Sequence, residues 1–344
     1  MFEKYDAIVF IGRFQPLHNA HLNILKTAHS MANKVIVIVG SADQPRSPEN
    51  PFSFEERKAF IYAAIDNSLA RSNTAVEPSH DSWYNNQAWA IRTAESVAKH
   101  TKPGDRIAII GHKKPGDVST FYLDMFPQWD FVDYQTVLAG VDATKIREIY
   151  FNPKLHENFL ESVIPDEVMR LLRKFKTTPD YGYVVDEINF IIEHAKQYAH
   201  LRYPPTFNTA DAVVVQAGHI LMIKRRAVPG KGQWALPGGY INARTDASLE
   251  DAAIRELDEE TGIKVPAKVL RGNIKESHTF DAIKRSPRGR IITQAFYIVL
   301  PEGPLPKVKG ADDAEKAKWI PIAELNRAEV FEDHYQIIQY FVGN

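Results

Sequence analysis

The chain has no cysteine in 344 residues, which excludes disulfides, thiolate metal sites and a cysteine nucleophile. It also lacks a surplus of either charge: 42 Lys and Arg stand against 43 Asp and Glu, for a formal net charge of -1. General nucleic-acid binding calls for a basic excess, so no nucleic-acid partner is expected. No apolar run approaches the roughly 20 residues of a membrane-spanning helix. The opening Met1-Phe2-Glu3-Lys4-Tyr5-Asp6 carries acidic residues where a secretory signal is positive. A cytoplasmic protein without membrane contact is the expectation, and a homo-oligomer stays open. Internal repeats and low-complexity tracts are absent as well.

What is present is an ordinary globular composition, 44% apolar and 25% charged, on a chain long enough for two cores. Strand-like runs at 7–11 and 35–39 flank a helical segment at about 21–32, which makes a βαβ unit. Further strands are expected at 107–110 and near 131–134, so the first half reads as a parallel-sheet α/β domain. A helix at roughly 186–201 ends in Tyr203-Pro204-Pro205, which cannot continue it. Beyond it, runs at 212–216 and 219–223 around Ala217-Gly218 read as a hairpin. The expected organisation is a domain at 1–175, a helical connector at 176–205 and a second domain at 206–344.

The most explicit chemistry lies in Arg255-Glu256-Leu257-Asp258-Glu259-Glu260-Thr261-Gly262, downstream of Leu236-Pro237-Gly238-Gly239. Glu256, Glu259 and Glu260 are spaced to share one helix face. Like charges so placed repel by roughly 0.2–0.5 kcal/mol per pair, a cost that a shared hard divalent cation removes. Leu249, Ala252, Ala253 and Leu257 supply the buried face, and the glycines suit close approach to a metal or diphosphate. A solvated acidic face is the bland alternative.

The pattern resembles the signature helix of Nudix hydrolases, Mg2+-dependent enzymes that cut a nucleoside diphosphate linked to another moiety. The resemblance implies an α/β/α domain with a mixed sheet. It also implies Glu256, Glu259 and Glu260 as ligands of Mg2+, or of Mn2+ in its place, with Glu259 and Glu260 catalytic. Arg255 would orient them and Gly239 would face the substrate. Gly239 to Arg255 is two residues longer than the family spacing, so the outer glutamate falls on Ala247, with Asp246 and Glu250 beside it. Glu260 is the first candidate for a general base and Glu276 the second. Lys284, Arg285, Arg288 and Arg290 cluster in one loop; Arg288 and Arg290 are the candidates for substrate charge, and a solvated basic loop is the alternative.

After the first strand comes Gly12-Arg13-Phe14-Gln15-Pro16-Leu17-His18-Asn19-Ala20-His21. A strand-to-helix turn at the carboxyl end of a parallel sheet offers free N–H groups to phosphate, and His18 and His21 can both point there as donors. In Thr144-Lys145-Ile146-Arg147, Thr144 is expected to cap a helix and Arg147 to fork onto phosphate. Two such elements in order resemble the nucleotidyltransferases, and Gly-Arg-Phe-Gln-Pro narrows the likeness to nicotinamide mononucleotide (NMN) adenylyltransferases of the archaeal type, with a Rossmann-like fold.

The resemblance implies ATP as co-substrate, His18, His21 and Arg147 as catalytic residues, and Gly12, Arg13, Phe14, His112 and Thr144 around the nucleotide. Ala20 replaces the family glycine. Gly111-His112-Lys113-Lys114 is by itself equally a plain basic loop. Asp81, Trp83, Asn86 and Trp89 are the expected NMN contacts, against the alternative that the tryptophans anchor the core. The order of the two halves resembles bacterial fusions of an NMN adenylyltransferase with a Nudix ADP-ribose pyrophosphatase. The implied small molecules are ATP, NMN, NAD and ADP-ribose. The competing readings are a second domain that senses NAD metabolites without turnover, or one that cuts another nucleoside diphosphate.

Overall fold

The computed structural model describes residues 4–65, 68–113, 118–134, 142–152, 154–155, 157–310 and 314–343. By chain contacts it divides into two compact units, Met1–Val185 and Asp186–Asn344. The division falls inside one long helix.

The first unit runs β1 (Tyr5–Gly12), α1 (Asn19–Met31), β2 (Ala32–Val39), α2 (Phe54–Ala64), α3 (Ser68–Ser72), β3 (Thr74–Pro78), α4 (Asn86–Ala98), β4 (Ile107–Gly111), β5 (Asp130–Asp133), α5 (Ala143–Tyr150), α6 (Asn158–Val163), α7 (Asp166–Phe175) and the start of α8 (Pro179–Tyr198). Its sheet is ordered β3-β2-β1-β4-β5, and every pairing is parallel. The central strands are covered on both faces, which is why they read as unbroken apolar runs. Val9, Ile11, Ile36, Ile38 and Ile109 pack with Ala90 and Val97 of α4. On the opposite face Phe10 meets His21 of α1. The order reverses between β1 and β4, the place where open α/β sheets bind ligands at their carboxyl ends.

The second unit continues with β6 (Thr206–Gln216), β7 (His219–Arg225), β8 (Trp234–Ala235), β9 (Gly238–Tyr240), α9 (Leu249–Thr261), α10 (Ala267–Gly272), β10 (Ile274–Phe280), β11 (Arg290–Val299), β12 (Ala314–Pro321) and α11 (His334–Val342). The order is β10-β11-β6-β7-β12, with β8 on β7 and β9 on β6. β6 and β11 are parallel while β10, β12 and β7 join antiparallel, so the sheet is mixed. Ala217 and Gly218, at φ 47 and 72, make the hairpin turn that matches strand twist. Side-chain alternation divides β6 between two layers. Ala212 and Val214 pack with Ile254 and Leu257 of α9, whereas Val213 and Val215 pack with Ile337 and Ile338 of α11. Burying Ile254 and Leu257 contributes roughly 1.5–3 kcal/mol each, which outweighs the repulsion among the glutamates of α9.

Candidate active sites

At the carboxyl end of β1, Gly12 leaves room for the Phe14 ring: a Cβ there would lie 3.0 Å from Phe14 Cζ. Phe14 is buried at φ 53, a costly conformation for a side-chain-bearing residue, and the loop is pinned beyond it. Gln15 Nε2 donates to the Phe52 carbonyl at 2.9 Å and its Oε1 accepts from Phe52 N at 3.0 Å. The chain then enters α1 with His18 at the cap position and His21 one turn on. Ala20 sits within α1, so a Cβ there meets no backbone conflict.

The two imidazoles stack with centroids 3.8 Å apart at 26°, and both Nδ1 atoms are buried without a hydrogen-bond partner. Burial pushes His18 down to about 4 against a weaker opposing pull from Asp142. Burial and then His18 hold His21 well below the imidazole range. Both rings are neutral at neutral pH.

Arg147, itself buried, reaches this loop from α5. Its Nη1 donates to the Gln15 carbonyl at 2.9 Å and its Nη2 to Thr144 Oγ1 at 3.4 Å. Burial first, then Arg13, lowers it to about 10, so it keeps its charge. The cap of α5 is Asp142, which accepts from Lys145 N at 2.8 Å, and not Thr144 as expected. Asp142 is the extended residue before the first helical one, where a carboxylate meets the free N–H groups. Thr144 is already helical and turns its hydroxyl to Arg147. His112, after β4, brings Nδ1 within 3.4 Å of Asp133 Oδ1 at the end of β5. Lys114 and Val141 lie outside the described residues.

Of the expected NMN contacts, Asn86 is an exposed first residue of α4. Trp89 leans on Phe126 and Tyr122 at 5.9 and 6.3 Å between centroids, at the flank of the core. Trp83 is half-buried. Asp81 exerts the largest charge effect on Arg57. Arg57 had no signal in the sequence beyond its place in a capped helix start, yet it is 1% exposed. It donates to the carbonyls of Arg13 at 2.9 Å, Gly40 at 2.6 Å, Ser41 at 3.0 Å and Ser53 at 3.2 Å. The loops after β1 and β2 are tied together through it.

In the second unit α9 is capped by Ser248, which accepts from Asp251 N, and ends at Gly262 with φ 51. Two of its three glutamates, Glu256 and Glu260, meet the Gly238-Gly239 strand at contact distance. A Cβ on Gly239 would fall 2.5 Å from Glu256 Oε1, and one on Gly238 would fall 2.3 Å from Asp211 Oδ1. Gly238 N donates to Glu260 Oε2 at 2.9 Å. Burial pushes Glu260 up to about 8, with Glu256 and Asp211 adding to the rise while the Gly238 N–H and Arg225 oppose it.

Arg255 Nη1 bridges Glu256 Oε1 and Glu259 Oε2, both at 2.8 Å. Its Nε and Nη2 form a bidentate pair with Asp246 at 2.8 Å each, and Nη2 also reaches the Tyr240 carbonyl at 3.2 Å. Those bonds to Arg255 hold Asp246 at about 2. Asp246, beside the expected outer position, takes the arginine within a turn in which Asn242 N donates to Asp246 Oδ2 at 2.7 Å.

The donor set fits a hard divalent cation, being all carboxylate oxygen beside a glycine cradle that a Cβ would fill. Among the described residues no three carboxylates are already drawn into a cage. Arg255 supplies the positive charge at Glu256 and Glu259. In the basic loop, Arg285 is buried in a bidentate pair with Asp333 at 3.0 and 2.8 Å and is therefore committed internally. Arg288 pairs with Glu332 at 3.1 Å and stands 5.9 Å from the Tyr240 ring centroid, and Arg290 turns to Asp281. Glu276 is exposed on β10.

Comparison with known proteins assigns each unit a family. Residues 9–164 match the cytidylyltransferase-like family model and residues 206–341 the NUDIX domain model. The chain is 33% identical over 181 residues to a nicotinamide/nicotinic acid mononucleotide adenylyltransferase of Acinetobacter baylyi, covering 52% of this chain and 90% of that protein. It is 31% identical over 147 residues to an ADP-ribose pyrophosphatase of Methanocaldococcus jannaschii, covering 43% of this chain and 78% of that one. Over both units it is similar to the crystal structure of a bifunctional NMN adenylyltransferase/ADP ribose pyrophosphatase from Francisella tularensis, complexed with AMP and a manganese ion. That match has 35% identity and a TM-score of 0.89, and covers 98% of this chain and 99% of that one.

Proposed function

We infer two activities from one premise: the chain belongs to the family of bifunctional NMN adenylyltransferase/ADP-ribose pyrophosphatases. The first unit joins ATP to NMN. An oxygen of the NMN 5′-phosphate attacks the α-phosphorus of ATP, a new P–O bond forms as the bond to the β-phosphate bridge breaks, and NAD and pyrophosphate leave. The nucleophile is already an anion, so no base is required and positioning carries the step. His18 and His21, kept neutral by burial, donate to phosphate oxygens as charge builds. Arg147 adds a permanent cation, and Thr144 and Arg57 hold Arg147 and the loops around it.

The second unit hydrolyses ADP-ribose to AMP and ribose 5-phosphate. A divalent cation, Mg2+ or Mn2+, when bound polarises the diphosphate and acidifies the attacking water. Glu256, Glu259 and Glu260 are the residues to hold it, with Arg255 and Asp246 fixing the direction of the first two and the Gly238 N–H that of Glu260. Glu260 Oε2 keeps the Gly238 N–H, so Oε1 is the oxygen it would offer to the cation. Arg288, beside Tyr240, is placed to meet the far end of the substrate. A cytoplasmic setting fits both reactions, because ATP and NAD metabolites are the small molecules served.

The observation that carries this reading is the meeting of Glu256 and Glu260 with Gly239 and Gly238, in the same chain as the stacked His18 and His21. Product analysis of the purified chain tests it, with ATP plus NMN in one reaction and ADP-ribose plus Mg2+ or Mn2+ in another. NAD in the first and AMP in the second are expected. ADP-ribose binding by calorimetry without turnover would instead make the second unit a sensor.

A further inference from the structure

The segment carrying Gly238 is short of donors. Between β8, paired to β7, and β9, paired to β6, lies only Leu236-Pro237, and proline has no N–H. Leu236 and Gly238 therefore supply the backbone donors at the crossing. Gly238 N is spent on Glu260 Oε2. Leu236 N donates to His334 Nδ1 at 2.9 Å, while the Pro237 carbonyl accepts from Ala212 N at 2.8 Å. With Nδ1 as acceptor, the ring proton of His334 belongs on Nε2.

His334 is itself fixed from behind. Its ring is buried against Phe331, with centroids 5.4 Å apart. Asp333, which has no exposure, gives its carboxylate to Arg285 and makes no side-chain cap for α11. Glu332, at φ 46, takes Ser286 Oγ at 2.7 Å and Arg288 Nη2 at 3.1 Å. Burial, with Arg285, Arg225 and Arg288 nearby, holds His334 well below the imidazole range, so the Nδ1 lone pair stays available to Leu236.

We propose that His334 is a positioning residue of the hydrolytic site: by accepting the Leu236 N–H it sets the place of Leu236-Pro237-Gly238, and so of the Gly238 N–H that aims Glu260. The proposal rests on the reading of Glu256, Glu259 and Glu260 as a divalent-cation site. A buried N–H without an acceptor is costly, so losing the imidazole shifts this crossing and the carboxylate bonded to it.

The test is Mn2+ binding to the full chain, followed by the free-Mn2+ electron paramagnetic resonance signal, with the α9 site defined as the binding lost in Glu259→Gln. Three variants are compared with wild type. H334L removes the acceptor, H334N places an amide oxygen where Nδ1 stood, and H334Q carries its amide past that point. Expected is a loss of affinity of about tenfold or more in H334L and H334Q, the usual range for groups that orient a metal ligand, with H334N within a few-fold of wild type. NAD formation by the first unit verifies the concentration of intact chain in each. Wild-type affinity in H334L, or equal losses in H334N and H334L, overturns the proposal. If H334L does not fold, H334N against H334Q decides it. No Mn2+ binding at α9 in wild type overturns the cation reading itself, and the role of His334 falls with it.

Discussion

In the first unit burial pushes His18 down to about 4 and His21 lower still, whereas in the second it pushes Glu260 up to about 8 and Asp211 to about 6. Desolvation favours the neutral form in every case, but neutrality serves the two chemistries differently. A neutral imidazole is already a hydrogen-bond donor, so the histidine pair is ready for phosphate as it stands. A neutral carboxyl is a poor ligand and no base. The glutamate site must therefore meet a positive partner before it acts, and in the structure Arg255 fills that part for Glu256 and Glu259.

The comparison breaks most visibly in the second unit. E259Q is expected to lower ADP-ribose hydrolysis by roughly a thousandfold or more, the several kcal/mol that a lost cation carries, with NAD formation unchanged in the same preparation. H21A is the counterpart and is expected to lower kcat for NAD formation by roughly 10²–10³, with hydrolysis unchanged.

The pH dependence sharpens the contrast. Because His18 binds its proton less readily folded than unfolded, the folded state loses stability as pH falls from about 6.5 toward 4, by about 3 kcal/mol from this residue. His21 acts in the same direction. NAD formation is expected to hold level from pH 8 down to about 6.5, below which the NMN phosphate itself takes a proton, at roughly pH 6. Denaturant titrations at stepped pH and initial rates over the same range check both.

Much of this was legible because the central strands of the first sheet are buried on both faces and read as apolar runs. β3, Thr-Ala-Val-Glu-Pro, escaped because an edge strand can carry Glu77, here paired with His100 at 2.8 Å. The strands β10, Ile-Lys-Glu-Ser-His-Thr-Phe, and β12, Ala-Glu-Lys-Ala-Lys-Trp-Ile-Pro, are likewise edges with mixed polarity. The helix expected from 186 begins at Pro179, a first-turn position where proline suits the helix.

In the sites, the helix spacing revealed the three glutamates, but not that Asp246 answers Arg255, since a loop turn sets that pairing and no periodicity records it. Arg57 was invisible for a similar reason: its partners are four backbone carbonyls, which leave no mark on residue type.

Two smaller effects follow from those hidden partners. D246A is expected to reduce hydrolysis by about 10–100-fold, with D246E recovering part of it, as kcat measurements at saturating Mn2+ would show. R57K keeps the charge but loses the fork. It is expected to cost the first unit about 1–3 kcal/mol, read as loss of NAD formation at lower denaturant than in wild type, with the denaturant dependence of ADP-ribose hydrolysis unmoved.

The central claim is that one chain holds two chemically separate sites, and it is tested most directly by assaying both reactions on single preparations of H18A and E260Q. The account predicts that H18A loses NAD formation and retains ADP-ribose hydrolysis, and that E260Q does the reverse. Full NAD synthesis in H18A, or loss of both activities in either well-folded variant, would contradict it.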